Sequence, residues 1–351
     1  MIKRSKSFWK NKKVLITGHT GFKGSWLSLV MKHFGAKVYG ISLKPKNKIN
    51  LYDSIKKNTF NKSYIFDLRD LKKTKNIINE IKPEVIFHFA AQPIVSEGYK
   101  DPSNTYSANI MSTINIFESL RNNKFCKILL ISTTDKVYEV RKNKSSYKEL
   151  DRLGGYDPYS ASKACVELII NSYKKSFFNN KKIKILTVRA GNIIGGGDWS
   201  KDRIIPDAIK SWRNRKILKL RSPSSTRPWQ HVLDALNSYI LLCEAKFQNM
   251  DNAIFNIGPY KQKSITTEKL IKIIGKNFSY NKYSKLKKKN FTETNKLSLN
   301  VSKFIKLTGF KPKWNIKDNL RYTAKWYLKY FDNKDAKKNC YSDIKKYFNE
   351  I

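Results

Sequence analysis

A glycine-spaced turn behind the first apolar run constrains this chain more than any other feature. Lys13-Val-Leu-Ile-Thr17 has the pattern of a short buried strand. Gly18, Gly21 and Gly24 follow at GxxGxxG spacing, then Phe22 to Phe34 shows helical periodicity that Gly35 ends. Such a turn lets the backbone approach a pyrophosphate, which then rests on the N-terminus of the helix. A purely structural turn could use the same glycines. Their place directly after an N-terminal buried strand is what favours a dinucleotide site.

Apolar runs and helical spacing alternate over the first 190 residues. Lys37-Val-Tyr-Gly-Ile41, Tyr64-Ile-Phe66, Glu84 to Phe89, Lys127 to Ile131 and Ile183 to Val188 read as strands, with helices predicted over Ser103–Arg121 and Pro158–Phe178. Repeated β-α-β units imply an α/β fold with a Rossmann-type, doubly wound parallel sheet. Beyond Gly191 the order weakens: Ile204 to Arg213 is predicted helical, and Leu218–Leu220 and Ala253–Ile257 as strands. The expected division is a dinucleotide-binding domain over residues 1–190, completed by 227–257, and a smaller α+β substrate domain from 191–226 and 258–330. The polar, basic residues 331–351 are expected to form a loosely held tail.

With the glycine turn as anchor, further residues become candidate dinucleotide contacts. Thr20, Phe22 and Lys23 lie in the turn, and Asp67 and Leu68 follow the third strand, although an aspartate there also suits a helix N-cap. Ala90, Ala91 and Gln92 end the fourth strand, where small side chains admit a flat ligand, and Asn109 and Ser132 complete the set. No acidic residue follows the second strand, where Ser42-Leu43-Lys44 stands. On residues alone this leans towards NADP, since an acid there usually holds the NAD ribose.

Tyr159-Ser-Ala-Ser-Lys163 opens a predicted helix, and its four-residue spacing puts phenol and ammonium on one face. A nearby ammonium is expected to lower the tyrosine pKa and make it a usable base. Tyr-x-x-x-Lys is common by chance, so the pair gains weight only behind the glycine turn. Ser132-Thr133-Thr134-Asp135-Lys136 leaves the C-terminal end of the fifth strand, the edge where open α/β sheets bind ligands. Thr134 is placed to share a hydroxyl with Tyr159, and Asp135 and Lys136 form a candidate acid/base pair.

Composition removes several classes. A net charge of +44 points by itself to nucleic acid. Yet 59 of the 71 basic residues are lysine, spread along the whole chain, whereas base and phosphate forks favour arginine. The charge reads as a solvated surface with weak attraction for anionic substrates and no nucleic-acid partner. No apolar run approaches the roughly 18 residues of a membrane helix, and Met1–Lys13 lacks the apolar core of a signal peptide. A cytoplasmic protein without membrane attachment is expected. Four scattered cysteines and four scattered histidines show neither metal-ligand spacing nor a disulfide framework.

The stretches GHTGFKGSWLSL, HFAAQP, TTDKVYE, LGGYDPYSASKA, RAGNIIGGGDW, RPWQHV and KPKW together resemble the nucleotide-sugar 4,6-dehydratases of the extended short-chain dehydrogenase type, and among them the CDP-glucose branch. The resemblance implies a lyase that dehydrates CDP-glucose to CDP-4-keto-6-deoxyglucose, with NAD, rather than NADP, reduced and then regenerated. It assigns Thr134, Asp135, Lys136, Tyr159 and Lys163 to the chemistry. It makes Gln92, Asn192, Arg203, Arg221, Arg227, Trp229, His231 and Glu293 substrate contacts. It also implies a homodimer or tetramer built on the two long helices, with Ile110, Ile114, Phe117, Leu168 and Ile169 as interface positions. Val95-Ser-Glu-Gly98 departs from the family's VRLSY, which bears on the identity of the sugar or base. An epimerase or reductase on the same scaffold is the alternative.

Overall fold

The computed structural model describes residues 2–141, 146–179, 182–246, 253–260, 265–286 and 297–349. Helix α1 (Ile2–Trp9) leads into strand β1 (Lys13–Thr17), α2 (Phe22–His33), β2 (Lys37–Ser42), α3 (Leu51–Ile55), β3 (Lys62–Ile65) and α4 (Leu71–Ile81). Then come β4 (Val85–His88), α5 (Val95–Lys100), α6 (Pro102–Leu120), β5 (Ile128–Ser132), α7 (Pro158–Tyr173) and β6 (Lys184–Ala190). The predicted strands over this half fall where the apolar runs are, because a parallel strand covered on both faces needs a continuous apolar segment.

The seven-stranded sheet has the order β11-β6-β5-β4-β1-β2-β3, where β11 is Ile254–Ile257, and every pairing in it is parallel. Alternation sorts its side chains onto two cores. Val14, Ile16, Phe87 and Leu130 point to one, and Leu15, Ile86, Leu129 and Ile131 to the other. Strand order reverses beside β1, which lies between β4 and β2, so the ends of these strands open a crevice.

The remaining elements are β7 (Ile193–Ile194), α8 (Ile204–Arg213), β8 (Leu218–Leu220), β9 (Thr226–Arg227), β10 (Gln230–His231) and α9 (Val232–Glu244). After β11 come β12 (Ile265–Thr266), α10 (Thr267–Gly275), β13 (Tyr283–Lys285), α11 (Ser302–Thr308), α12 (Ile316–Asn333) and α13 (Ala336–Tyr347). Three two-stranded sheets, β7 with β10, β8 with β13 and β9 with β12, hold this region over the crevice side.

The expectation of a loosely held tail is wrong. Residues 336–347 form α13, with Ala336, Cys340, Ile344 and Tyr347 buried along one face. The Tyr347 hydroxyl donates to Asp234 Oδ1 on α9 at 2.7 Å. A helical stripe survives within a lysine-rich composition, and burial of that stripe fixes the segment.

Candidate active site

The glycine turn is built by close backbone approach. Gly18 has φ +73°, and a Cβ there would lie 2.8 Å from the Ala90 nitrogen. A Cβ on Gly24 would lie 2.2 Å from the Gly18 carbonyl oxygen. Gly21 caps α2 with no side-chain hydrogen bond, so no side chain caps the first-turn amides of α2. An uncapped helix start beside a glycine-spaced turn suits the pyrophosphate of a dinucleotide. Thr20 Oγ1 lies 2.8 Å from Ser42 Oγ and donates to the Leu43 carbonyl, tying the turn to the end of β2. Phe22 is partly buried against the core.

Other predicted contacts are held differently. The Asp67 carboxylate is engaged by Arg69 at 2.6 Å, which holds its pKa down, and Asp70 rather than Asp67 caps α4. Leu68 is buried in the core. Ala90 and Ala91 are partly buried past the end of β4. Asn109 is buried on α6, accepting from the Gln92 amide at 2.7 Å and donating to Ser162 Oγ at 2.8 Å. The Gln92 side chain is itself spent on Thr105 and on the Ile94 amide. These two amides brace the crevice wall.

Asp157 caps α7 by accepting from the Ser160 amide at 3.0 Å, and Pro158 opens the helix, so Tyr159 stands in its first turn. Thr134 starts a short 3₁₀ turn at the end of β5, and its hydroxyl donates to Asp135 Oδ1 at 3.1 Å. That hydroxyl lies near the Tyr159 phenol and pulls its pKa down. Lys163 is buried one turn on and donates to the Ser132 carbonyl at 3.2 Å. Lys23 donates to Ser132 Oγ at 2.8 Å and lies over the rings of Phe89 and Tyr239. Thr134, Asp135, Tyr159, Lys163, Ser132 and Lys23 thus share one crevice, with Lys136 partly buried at its side.

Burial dominates the electrostatics. It pushes the Tyr159 phenol up to about 12, against smaller downward pulls from Thr134 and Arg203. The expected lowering by Lys163 is absent: desolvation outweighs it, and Lys163 is turned towards the Ser132 carbonyl. Burial likewise brings Lys163 down to about 8, with Glu167 opposing. Lys23 falls to about 7 through burial, Lys163 and Arg203. Burial raises the Asp135 carboxyl, and its Oδ2 has no partner. A carboxyl whose proton affinity is raised, beside a tyrosine, is suited to donate a proton where the tyrosine accepts one.

The arginines divide. Arg227 is buried, and its charge acts on Asp135. Arg203 is 3.8 Å from Asp198, and its charge reaches both Tyr159 and Lys23. Arg221 is held by Asp202 at 2.7 Å. Asn192 is partly buried, and its carbonyl accepts from the Gln230 amide. Glu293 lies outside the described residues.

His231 corrects a prediction. It has no exposed surface; its Nδ1 caps α9 by accepting from the Leu233 amide, and its ring packs on Trp314 at 4.6 Å. A ring closed into the core cannot reach a substrate. Trp229 is buried in the same core. Phe117 was expected at a subunit surface, but it is fully buried and stacked on Tyr173.

Sequence reasoning missed three residues here. Tyr239 of α9 lies beside Ser132 and Tyr159. Glu167 pairs with Arg189 across α7 and β6 at 3.0 Å. Glu167 stands four residues past Lys163, a spacing that could have drawn notice. No group of three or more potential metal ligands occurs among the described residues. Among those residues, no helix is long and apolar enough to cross a membrane.

The profile of the GDP-mannose 4,6-dehydratase family matches residues 15–323. The CDP-glucose 4,6-dehydratase of Salmonella typhimurium is 39% identical over 346 residues, covering 94% of each chain. An epimerase from Methanothermobacter thermautotrophicus superposes with a TM-score of 0.82 at 19% identity, over 95% of this chain and 96% of the other. The dTDP-glucose 4,6-dehydratase of Bacillus anthracis, solved with NAD, gives 0.75 at 21% identity over 91% and 97%. Sequence, sheet order and turn agree, and the chain belongs to the GDP-mannose 4,6-dehydratase family, the nucleotide-sugar dehydratases built on the extended short-chain dehydrogenase fold.

Proposed function

We propose that this protein dehydrates CDP-glucose to CDP-4-keto-6-deoxyglucose with NAD as its cofactor. The observation that carries the reading is a buried carboxyl, Asp135, whose Oδ1 accepts from Thr134 and whose Oδ2 has no hydrogen-bond partner, close to the tyrosine of a Tyr-x-x-x-Lys pair. An epimerase or reductase needs the tyrosine but has no use for a second acid there. The near-full-length likeness to the Salmonella CDP-glucose 4,6-dehydratase supports the choice of substrate.

The glycine turn of Gly18, Gly21 and Gly24 would hold NAD, which would supply reversible hydride transfer between C4 and C6. Tyr159, acting as its phenolate beside Thr134, accepts the C4 hydroxyl proton, and Lys163 orients the site from the Ser132 carbonyl. The C4 ketone then acidifies C5–H. Lys136 removes that proton while Asp135, whose proton affinity burial raises, protonates the leaving C6 hydroxyl. Arg203 and Arg227 hold the diphosphate, where guanidinium forks match phosphate oxygens. Residues 1–190 with β11 carry the cofactor, and the segments after Gly191 carry the nucleotide sugar.

Two further features belong to this reading. The outer faces of α6 and α7 expose Met111 and Leu168, the latter at 62%, beside the partly buried Ile110, Ile114 and Ile169, which suits a homodimer or tetramer. Four free cysteines suit the reducing cytoplasm. Incubation with CDP-, dTDP-, UDP- and GDP-glucose, followed by the absorbance of the ketosugar in alkali, tests the proposal. CDP-glucose is expected to give the signal. An epimerised product without it, or turnover of another sugar nucleotide alone, refutes the reading.

A further inference from the structure

Behind the reacting groups lies a second polar cluster that takes no part in the proton transfers. Arg189 of β6 and Glu167 of α7 form a two-pronged ion pair, with Nε and Nη2 donating to the two carboxylate oxygens at 3.0 Å each. Both side chains are 2% exposed. Charges placed so deep need partners for their donors and acceptors, and here four guanidinium N–H groups and both carboxylate oxygens are engaged. Arg189 Nη1 donates to the Tyr138 hydroxyl at 2.9 Å and to the Glu149 carbonyl at 2.8 Å. Tyr138 passes the chain on to Asn256 of β11 at 2.6 Å. Asn256 holds the Tyr147 carbonyl and takes its own amide partner from Glu149.

The contact that matters most is at the other end. Thr133 Oγ1 donates to Glu167 Oε1 at 2.5 Å. Thr133 immediately precedes Thr134, Asp135 and Lys136, and Glu167 lies one helical turn beyond Lys163 and two beyond Tyr159. The β5 loop and α7 therefore meet at Thr133–Glu167, next to the point where Thr134 meets Tyr159. Tyr138 pins the far end of the same loop through Arg189. The loop is clamped on both sides of its three candidate reacting residues.

We infer that the Glu167–Arg189 pair is a positioning device, which through Thr133 and Tyr138 fixes the 134–136 loop relative to α7. Thr134 and Tyr159 stand on different elements, and this pair sets their separation. The expected consequence follows from the steepness of proton transfer with distance: a displacement of about 1 Å costs up to about 10²-fold. The inference rests on the proposed function only in where it expects turnover to fall.

Thr133→Val tests it, because valine keeps the shape, removes the hydroxyl, and leaves Glu167 paired with Arg189. Assays use the full-length protein with NAD. The expected result is a fall in kcat of about tenfold or more with KM within about twofold, since binding groups are untouched. Thr133→Ser, which returns the hydroxyl, should restore the rate. Hydrogen exchange followed by mass spectrometry should show faster exchange confined to residues 133–138 in the valine variant and not in the serine variant. Thr133→Ala replaces valine if that variant does not fold. Parental kcat in Thr133→Val, or faster exchange spread over the whole chain, overturns the inference. If the parent itself leaves CDP-glucose unchanged, the proposed function falls, and the exchange pattern alone decides: an unaltered 133–138 segment refutes the clamp.

Discussion

Gly24→Ala is the sharpest test of the dinucleotide site. The added methyl carbon would lie 2.2 Å from the Gly18 carbonyl oxygen and 2.7 Å from the His19 Cα. Both are backbone atoms, so no side chain can rotate away. The turn must withdraw from α2 by about 1 Å to reach ordinary contact, and at a positioned site such a shift costs about 10²-fold. Overpacking of a tight interior costs about 1–3 kcal/mol, and the upper part of that range matches the same factor. NAD affinity, measured by equilibrium dialysis, should therefore fall by about two orders of magnitude while the far-ultraviolet circular dichroism stays native. Gly258→Ala is the control: a Cβ there meets Val301 Cγ1 at 3.7 Å and Leu299 at 3.9 Å, ordinary contacts, so binding should hold. Parental NAD affinity in Gly24→Ala would show that the ligand does not depend on the spacing of this turn.

Three other outcomes are expected. Lys136→Met should spare C4 oxidation but slow elimination by about 10²–10⁴, so that reduced cofactor accumulates in near-ultraviolet absorbance; Tyr159→Phe should form none, and a Lys136→Met enzyme at the parental rate excludes the lysine as base. Lys23 is held near 7 by burial, Lys163 and Arg203, whereas an unfolded lysine titrates near 10.4. Its charge therefore costs the folded state most below about pH 7, and the cost fades as pH rises towards about 10; Lys23→Met should raise the melting temperature most at neutral pH and progressively less above it, and a pH-independent gain refutes this. Deleting Ala336–Tyr347 removes the buried Cys340, Ile344 and Tyr347 and the Tyr347 hydroxyl from Asp234; at about 1.5–3 kcal/mol per large buried side chain the loss should exceed about 4 kcal/mol, and an unchanged urea midpoint contradicts it.

The elements that were legible in the sequence are those whose physics is local. Lys13–Thr17, Ile204–Arg213 and Leu218–Leu220 form the predicted elements without a shifted boundary. A strand covered on both faces, or a helix with a wide apolar stripe, writes itself into consecutive residues. What escaped depends on distance in space. The stripe of α13 is spaced along residues that are mostly polar, so composition hid it. The Tyr159 pKa went the wrong way because spacing reveals the neighbouring lysine but not the depth of burial. His231 sits in a motif that reads as a binding segment, yet its ring serves as a cap inside the core. Glu167 and Arg189 lie 22 residues apart, and only the register between α7 and β6 brings them together.

The charge of the whole chain obscures the charges that matter. Most of the +44 is lysine in water, screened within about 10 Å. The crevice is different. Lys23 and Lys163 converge on the hydroxyl and the carbonyl of one residue, Ser132, and each feels a cation beside it or near it. Arg203 acts on Tyr159 and Lys23, and Arg227 acts on Asp135. Against these cations stand several carboxyls, Asp198 beside Arg203 and Asp157 near Tyr159 among them. Glu167 is already matched by Arg189, and burial drives Asp135 towards its neutral form. The field of these cations weakens Lys23 as a cation and pulls the Tyr159 phenol down, though burial still holds it up at about 12. A diphosphate brought into that field would offset part of it. On the proposed function the anionic half of the substrate then does more than anchor the sugar. By drawing the Arg203 charge onto itself, it would raise the proton affinity of Lys23, coupling occupancy of the nucleotide subsite to the protonation of a group bonded to Ser132.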